Sequence, residues 1–122
     1  MSLALDLLDF SRELGLPDCR LNDNGEWLAA LANQQYLGVQ EREGVVLVFI
    51  LHPLGYDGLD VFERACRQAH LFHLREDTVQ LALRERDHQR WLVALSRIPR
   101  IEFSGPRGAR ACSDLRQWLQ TL

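Results

Sequence analysis

The longest near-continuous apolar run in the chain covers residues 45–51, Val-Val-Leu-Val-Phe-Ile-Leu, far below the roughly 20 residues a helix needs to span a bilayer. It reads as part of a strand over residues 45–52. Two more short strands precede it, residues 27–32 and 36–40, set off by Asn33-Gln34-Gln35 and by the charged turn Glu41-Arg42-Glu43-Gly44. Together they predict an antiparallel meander. Upstream, Leu3, Leu7, Phe10 and Leu14 recur at steps of four, three and four, the period of an amphipathic helix, with Ser2 placed to cap it and Gly15 to end it. Pro17 holds the chain out of helix, and Asn22-Asp23-Asn24-Gly25 supplies residues that tolerate the positive φ of a tight turn.

After the meander, His52-Pro53-Leu54-Gly55-Tyr56-Asp57-Gly58 is rich in breakers, and helical spacing resumes from about Leu59 with Phe62, Cys66, Ala69 and His73. The small residues Ala65, Cys66 and Ala69 on this second helix permit close approach of another backbone. Past an Arg75-Glu76-Asp77 turn, residues 78–83 alternate Val79, Leu81 and Leu83 against Thr78, Gln80 and Ala82, the pattern of a half-buried strand. Trp91, Leu92, Leu95 and Ile98 would suit a short helix, but residues 90–97 are better read as a hairpin partner across Asp87-His88-Gln89. Gly105-Pro106-Arg107-Gly108 breaks the chain, and Ala111, Leu115, Trp118, Leu119 and Leu122 mark a C-terminal amphipathic helix. The expected fold is α+β in the order α-β-β-β-α-β-β-α, an antiparallel twisted sheet with helices packed on it. Residues 1–122 form one domain.

Composition then narrows the function. The chain is 47% hydrophobic and 25% charged, the balance of a soluble globular domain. Folding at this size buries only about two thirds of the unfolded chain's surface, so a second apolar-covering chain would help, and dimerisation is expected. The net charge is −3, and all 14 basic residues are Arg. Residues 1–60 carry −7 and residues 61–122 carry +4. An overall acidic chain argues against nucleic acid as partner. Arg84, Arg86, Arg90, Arg97 and Arg100 with Trp91 could suggest a single-stranded ligand, but Glu85, Asp87 and Glu102 interrupt them. A solvated strand face, or a face for an acidic protein partner, is the better reading.

Chemistry-bearing constellations are weak. Cys19, Cys66 and Cys112 are odd in number and far apart, so they cannot all pair within the chain, and a reducing compartment is expected. Cys66, His70 and His73 share one helix face, a legitimate metal set, but the same spacing is a buried stripe and no fourth ligand follows. Asn22-Asp23-Asn24-Gly25 lacks the closing Glu of a calcium loop, Asn33 standing where it should be. Residues 104–110 lack a full phosphate-loop pattern and read as the lead into a helix. A Cys66 nucleophile would lack oxyanion donors. No paired carboxylates, nucleophile elbow or dinucleotide fingerprint appears. The chain is expected to be neither an enzyme nor a holder of metal or cofactor. No secretory leader or membrane anchor is read from it.

What is left over is apolar: Trp27, Tyr36, Val45, Phe49, Trp91 and Trp118 either all enter one core or, in part, line a groove or sheet face that receives another chain. In the order of its elements over almost the whole chain, and in short local patterns, the sequence resembles the class I type III secretion chaperones. Residues 7–17, Leu-Leu-Asp-Phe-Ser-Arg-Glu-Leu-Gly-Leu-Pro, are similar to the family's opening helix, which ends in Leu-Gly-Leu-Pro. Leu21-Asn22-Asp23-Asn24-Gly25 resembles its Leu-Asp-x-x-Gly turn, and residues 45–51 followed by Gly55 resemble its third strand and exit.

The resemblance implies a bacterial cytoplasmic protein that binds the N-terminal segment of a secreted effector and keeps it extended and export-competent without nucleotide. It also implies a homodimer, or a heterodimer as in some relatives, joined through Phe62, Ala65, Cys66, Ala69, Val79 and Leu81. Effector contacts are expected at Leu7, Phe10, Trp27, Leu37, Val39, Leu47 and Phe49, with strand parity deciding which of them face outward. The acidic surface is expected to favour clients with basic segments. The alternative is a small cytosolic adaptor domain that binds protein with no part in secretion.

Overall fold

Left-handed backbone marks where the sheet reverses. In a computed structural model that describes residues 2–71 and 79–122, Glu43 and Gly44 have φ of 52° and 79°, and Asp87 and His88 have 53° and 65°. Two consecutive positive φ values are what a two-residue hairpin needs for its twist to match the flanking strands. They join β2 (Tyr36–Arg42) to β3 (Val45–Leu54) and β4 (Gln80–Arg86) to β5 (Gln89–Pro99). A longer turn with Asn33 at φ 61° and Gln34 at φ 63° joins β1 (Glu26–Ala30) to β2.

All neighbouring strands are antiparallel, in the order β1-β2-β3-β5-β4. The meander of β1 to β3 is therefore as expected, and the segment that could have been a helix is the long central strand β5. Between β3 and β4 the chain crosses over through α2 (Gly58–Leu71), leaving room for β5 between them. The expected turn at Arg75-Glu76-Asp77, together with Phe72, His73 and Thr78, lies outside the described residues.

Helix α1 (Leu3–Glu13) buries Leu3, Leu7 and Phe10, the stripe read from its period. Ser2 stands at its cap position but makes no side-chain cap bond. The helix closes as Gly15 turns left-handed at φ 69°, with the Gly15 N–H donating to the Arg12 carbonyl and the Leu16 N–H to the Ser11 carbonyl. This pairing satisfies carbonyls that a helix end otherwise leaves bare.

The last helix corrects the sequence reading. Gly105-Pro106-Arg107-Gly108 does not break the chain but forms the first turn of α3 (Gly105–Leu119). The Ser104 hydroxyl accepts the Arg107 N–H at 3.1 Å, and a proline in the first helical turn forfeits no bond. The glycines serve packing. A Cβ at Gly105 would lie 2.7 Å from the Asp9 Cβ, and one at Gly108 would lie 2.7 Å from Phe10 and 2.8 Å from Phe103. Helices α1 and α3 thus touch backbone to backbone over one face of the sheet.

Strand alternation sends one set of side chains toward those helices. Leu37 and Val39 on β2, Val46, Val48 and Ile50 on β3, and Leu92, Ala94 and Ile98 on β5 are all sealed there with Phe10, Leu115 and Trp118. Full burial of each large apolar side chain stabilises by about 1.5–3 kcal/mol, so this layer holds the fold. Trp27 closes its β1 end, edge-on to Phe10 with ring centroids 6.4 Å apart.

Candidate binding face

On the opposite parity of the same strands no helix packs among the described residues. The pairing places Tyr36, Leu51, Val93 and Ala82 in one row across β2, β3, β5 and β4, and Gly38, Phe49, Leu95 and Gln80 in the next. Leu28 joins from β1 beside Gly38, and Leu47 and Trp91 extend the surface along β3 and β5. Leu28 and Tyr36 are 48% and 39% exposed, Leu47, Phe49, Leu51, Trp91 and Leu95 are half-buried, and Val93 in their midst is buried. Tyr36 and Trp91 meet edge to face at 5.8 Å.

Gly38 is what lets this surface lie flat. A Cβ there would lie 2.2 Å from the Phe49 ring, so the ring lies down on bare backbone. An apolar floor several side chains wide, made by residues with no packing partner above them, is the surface on which another chain gains most by docking.

A second concavity of about 460 Å³ opens between α1 and the segment that follows it, lined by Leu3, Leu7, Leu8, Cys19 and Leu21. Arg100 and Glu41 edge it, 3.4 Å apart in an ion pair. Leu5 and Ile101, 63% and 96% exposed, stand nearby on α1 and on the turn after β5. Ser11 fixes this region from within. Its hydroxyl donates to the Leu8 carbonyl and accepts the Cys19 N–H, each at 3.0 Å.

The residues expected to touch a client therefore divide. Leu47 and Phe49 lie on the open face. Leu37, Val39 and Phe10 are completely buried on the helix-covered side, Trp27 is half-buried there, and Leu7 is a 2% exposed wall of the α1 concavity. The cause is parity: Leu37 pairs with Ile50 and Val39 with Val48, one residue out of phase with Leu47 and Phe49. Tyr36 and Trp91 were among the surplus apolar residues read from the sequence but not among the expected client contacts, and Leu28, Leu51 and Leu95 were missed. The signal was there in the run 45–51, which is apolar at both parities and so calls for cover on both faces.

Among the expected dimer residues, Phe62, Cys66 and Leu81 are half-buried, whereas Ala65 and Val79 are already sealed in the core at 0% and 5% exposure. The side chain of Ala69 lies outside the described residues. Tyr56, fully exposed, and Leu59, 59% exposed, add apolar surface at the head of α2.

Two of the three cysteines are sealed in the core. Burial alone pushes the Cys19 thiol up to about 12, and burial pushes Cys112 up to about 11 against the opposing pull of Arg116, so both stay protonated and poor as nucleophiles or ligands. The Cys66, His70, His73 set cannot be assembled, because His73 and the side chain of His70 lie outside the described residues. Asn22 uses its carboxamide oxygen to accept the Asn24 and Glu26 N–H groups, which closes the turn expected at Asn22-Asp23-Asn24-Gly25. No helix among the described residues is long and apolar enough to cross a membrane.

No family model and no curated protein matches the sequence. Solved structures do match the fold. A chain of the HopA1–SchA chaperone–effector complex superposes with a TM-score of 0.71 at 22% identity, covering 96% of this chain and 89% of that one. The Yersinia pestis type III secretion chaperone SycH, in complex with a stable fragment of YscM2, gives 0.72 at 19% identity, with 99% of both chains covered. A chain of the ExsC–ExsE complex gives 0.68 at 16% identity, covering 96% of this chain and 90% of that one. The chain has the α+β fold of the type III secretion chaperones, with the expected element order.

Proposed function

We propose that this protein is a type III secretion chaperone that holds a segment of a secreted effector on the open face of its sheet. The observation that carries this reading is the bare apolar surface from Leu28 through Phe49 to Trp91, in a fold whose solved counterparts include chaperone–effector complexes. Burial of such a surface returns about 25 cal/mol per Å². That gain offsets the entropy lost by the client segment and leaves a complex that can be taken apart. The action is holding rather than folding. It needs no nucleotide, and the client remains extended for export.

Leu47 and Phe49 belong to the client-binding set, with Leu28, Tyr36, Leu51, Trp91 and Leu95 beside them. Leu37, Val39 and Phe10 support the sheet from behind. Two copies join through the face of α2 that presents Phe62 and Cys66, continued by Leu81 on β4, in the cytoplasm of a bacterium.

The test is co-expression with a candidate secreted client, such as the product of a neighbouring gene, followed by limited proteolysis of the purified complex. The expected result is a dimer of this chain protecting a stretch near the client's N-terminus, and a Phe49→Asp variant that folds but loses the client. A strict monomer that captures only a protein which is never exported would instead favour the adaptor reading.

A further inference from the structure

The open face carries charge of its own, opposite in sign to the chain. By strand parity the arginines on it are Arg42 on β2, Arg97 on β5, and Arg84 and Arg86 on β4, while Glu26 on β1 is its one strand carboxylate. Glu26 already accepts from Gln40 at 3.2 Å. All four arginines are exposed, and among the described residues none of them forms an ion pair.

Their placement follows the rows of the sheet. Arg42 and Arg97 occupy the rows at the β2–β3 hairpin end, the two wholly uncharged rows of Phe49 and Leu51 come next, and Arg84 and Arg86 occupy the rows at the β4–β5 hairpin end. From the Arg97 row to the Arg84 row is six residues along β5, roughly 20 Å at about 3.4 Å per residue.

We infer that the occupant of this face is an extended peptide segment whose apolar residues are flanked at both ends by Asp or Glu, the two acidic groups standing about six residues apart. This rests on the proposed chaperone function and specifies the client it takes. The net charge of −3 would suggest basic clients, but a segment lying on the sheet meets, within about one Debye length, four arginines against Glu26 and the hairpin-tip carboxylates Glu43 and Asp87, so the local excess is positive where the whole chain is negative. The apolar centre argues for peptide over nucleic acid. A phosphate backbone would need cations along its whole path, and here they stand only at the ends.

The experiment uses the full chain and two fluorescent twelve-residue peptides with the same alternating apolar centre, one flanked by Glu and the other by Lys, with a single-stranded oligo(dT) as a third probe. The Glu-flanked peptide is expected to bind about tenfold tighter than the Lys-flanked one at low salt, several exposed pairs adding modestly. That ratio should fall to within about threefold at 0.5 M NaCl, where the Debye length is short, and equally in the triple variant Arg42→Gln/Arg84→Gln/Arg97→Gln. Phe49→Asp should abolish binding of both peptides.

Equal binding of the two peptides, with Phe49→Asp still abolishing it, would overturn the charge inference and leave the docking face standing. No binding of either would remove the docking face as well. Oligo(dT) binding as tightly as the Glu peptide would reassign the face to nucleic acid. Conversion of a wild-type dimer to monomer by Phe49→Asp would assign it to a second copy, and either of these results overturns the proposal.

Discussion

Val48 and Phe49 are neighbours in the chain and on opposite sides of one sheet. Val48 is inaccessible beneath the helices, and Phe49 lies half-buried on Gly38 with nothing above it. Both faces are apolar, yet one has spent its hydrophobicity on folding and the other keeps it available for a second chain. The sharpest way to break that distinction is a pair of truncations of the same residue type. Phe10→Ala removes a fully buried ring that lies against Gly108 of α3 and should cost about 3–5 kcal/mol. Phe49→Ala should cost about 1 kcal/mol or less, because its ring is only half removed from water. Urea unfolding midpoints decide it, and equal losses would mean that Phe49 belongs to the core after all.

Two glycines sharpen the same comparison. A methyl group at Gly108 collides with Phe10 and Phe103, which are locked in the core, and one at Gly38 collides with Phe49, which has open space to swing into. Gly108→Ala should therefore destabilise by up to about 3 kcal/mol, the cost of overpacking. Gly38→Ala should cost well under about 1 kcal/mol while tipping the Phe49 ring up and weakening peptide binding. A stability loss at Gly38 matching that at Gly108 would show the open face to be packed as rigidly as the covered one.

These glycines also show how far the sequence could be read. Element order was legible because helical and strand periods alternate between turn-forming stretches, save at Trp91, Leu92, Leu95 and Ile98, whose spacing also suits a short helix and which only pairing with β3 and β4 makes a strand. The outward-facing residues were not, since Leu37 and Val39 differ from Leu47 and Phe49 only by a register that pairing fixes. Gly105 and Gly108 looked like breakers because a glycine-rich stretch reads the same whether it ends a helix or lets two helices touch. Ser11 belongs with them: a polar residue in the stripe of α1, it is tolerated on the covered side because it accepts the buried Cys19 N–H. Ser11→Ala should cost about 1–2 kcal/mol by stranding that donor, measurable as a drop in urea midpoint. No change would mean the Cys19 N–H finds another partner.

The smallest effect is expected where the two faces meet the end of the sheet. His52 has the parity of the covered face, pairs with Leu92, and lies half-buried with its Nδ1 3.0 Å from the Gln35 side-chain nitrogen. Since an amide nitrogen can only donate, Nδ1 accepts, which requires the unprotonated form there. Burial lowers the His52 pKa from 6.5. A histidine depressed in the folded state favours folding while it is neutral, so its contribution is complete above pH 6.5, declines as pH falls from there through the folded pKa, and is flat below. His52→Gln keeps the size and polarity without the titration, and the difference in urea midpoint between pH 7.5 and pH 5.5 should be smaller in the variant than in the parent. An unchanged difference would place the imidazole in water at the sheet's rim, making the covered face one row shorter than its buried neighbours imply.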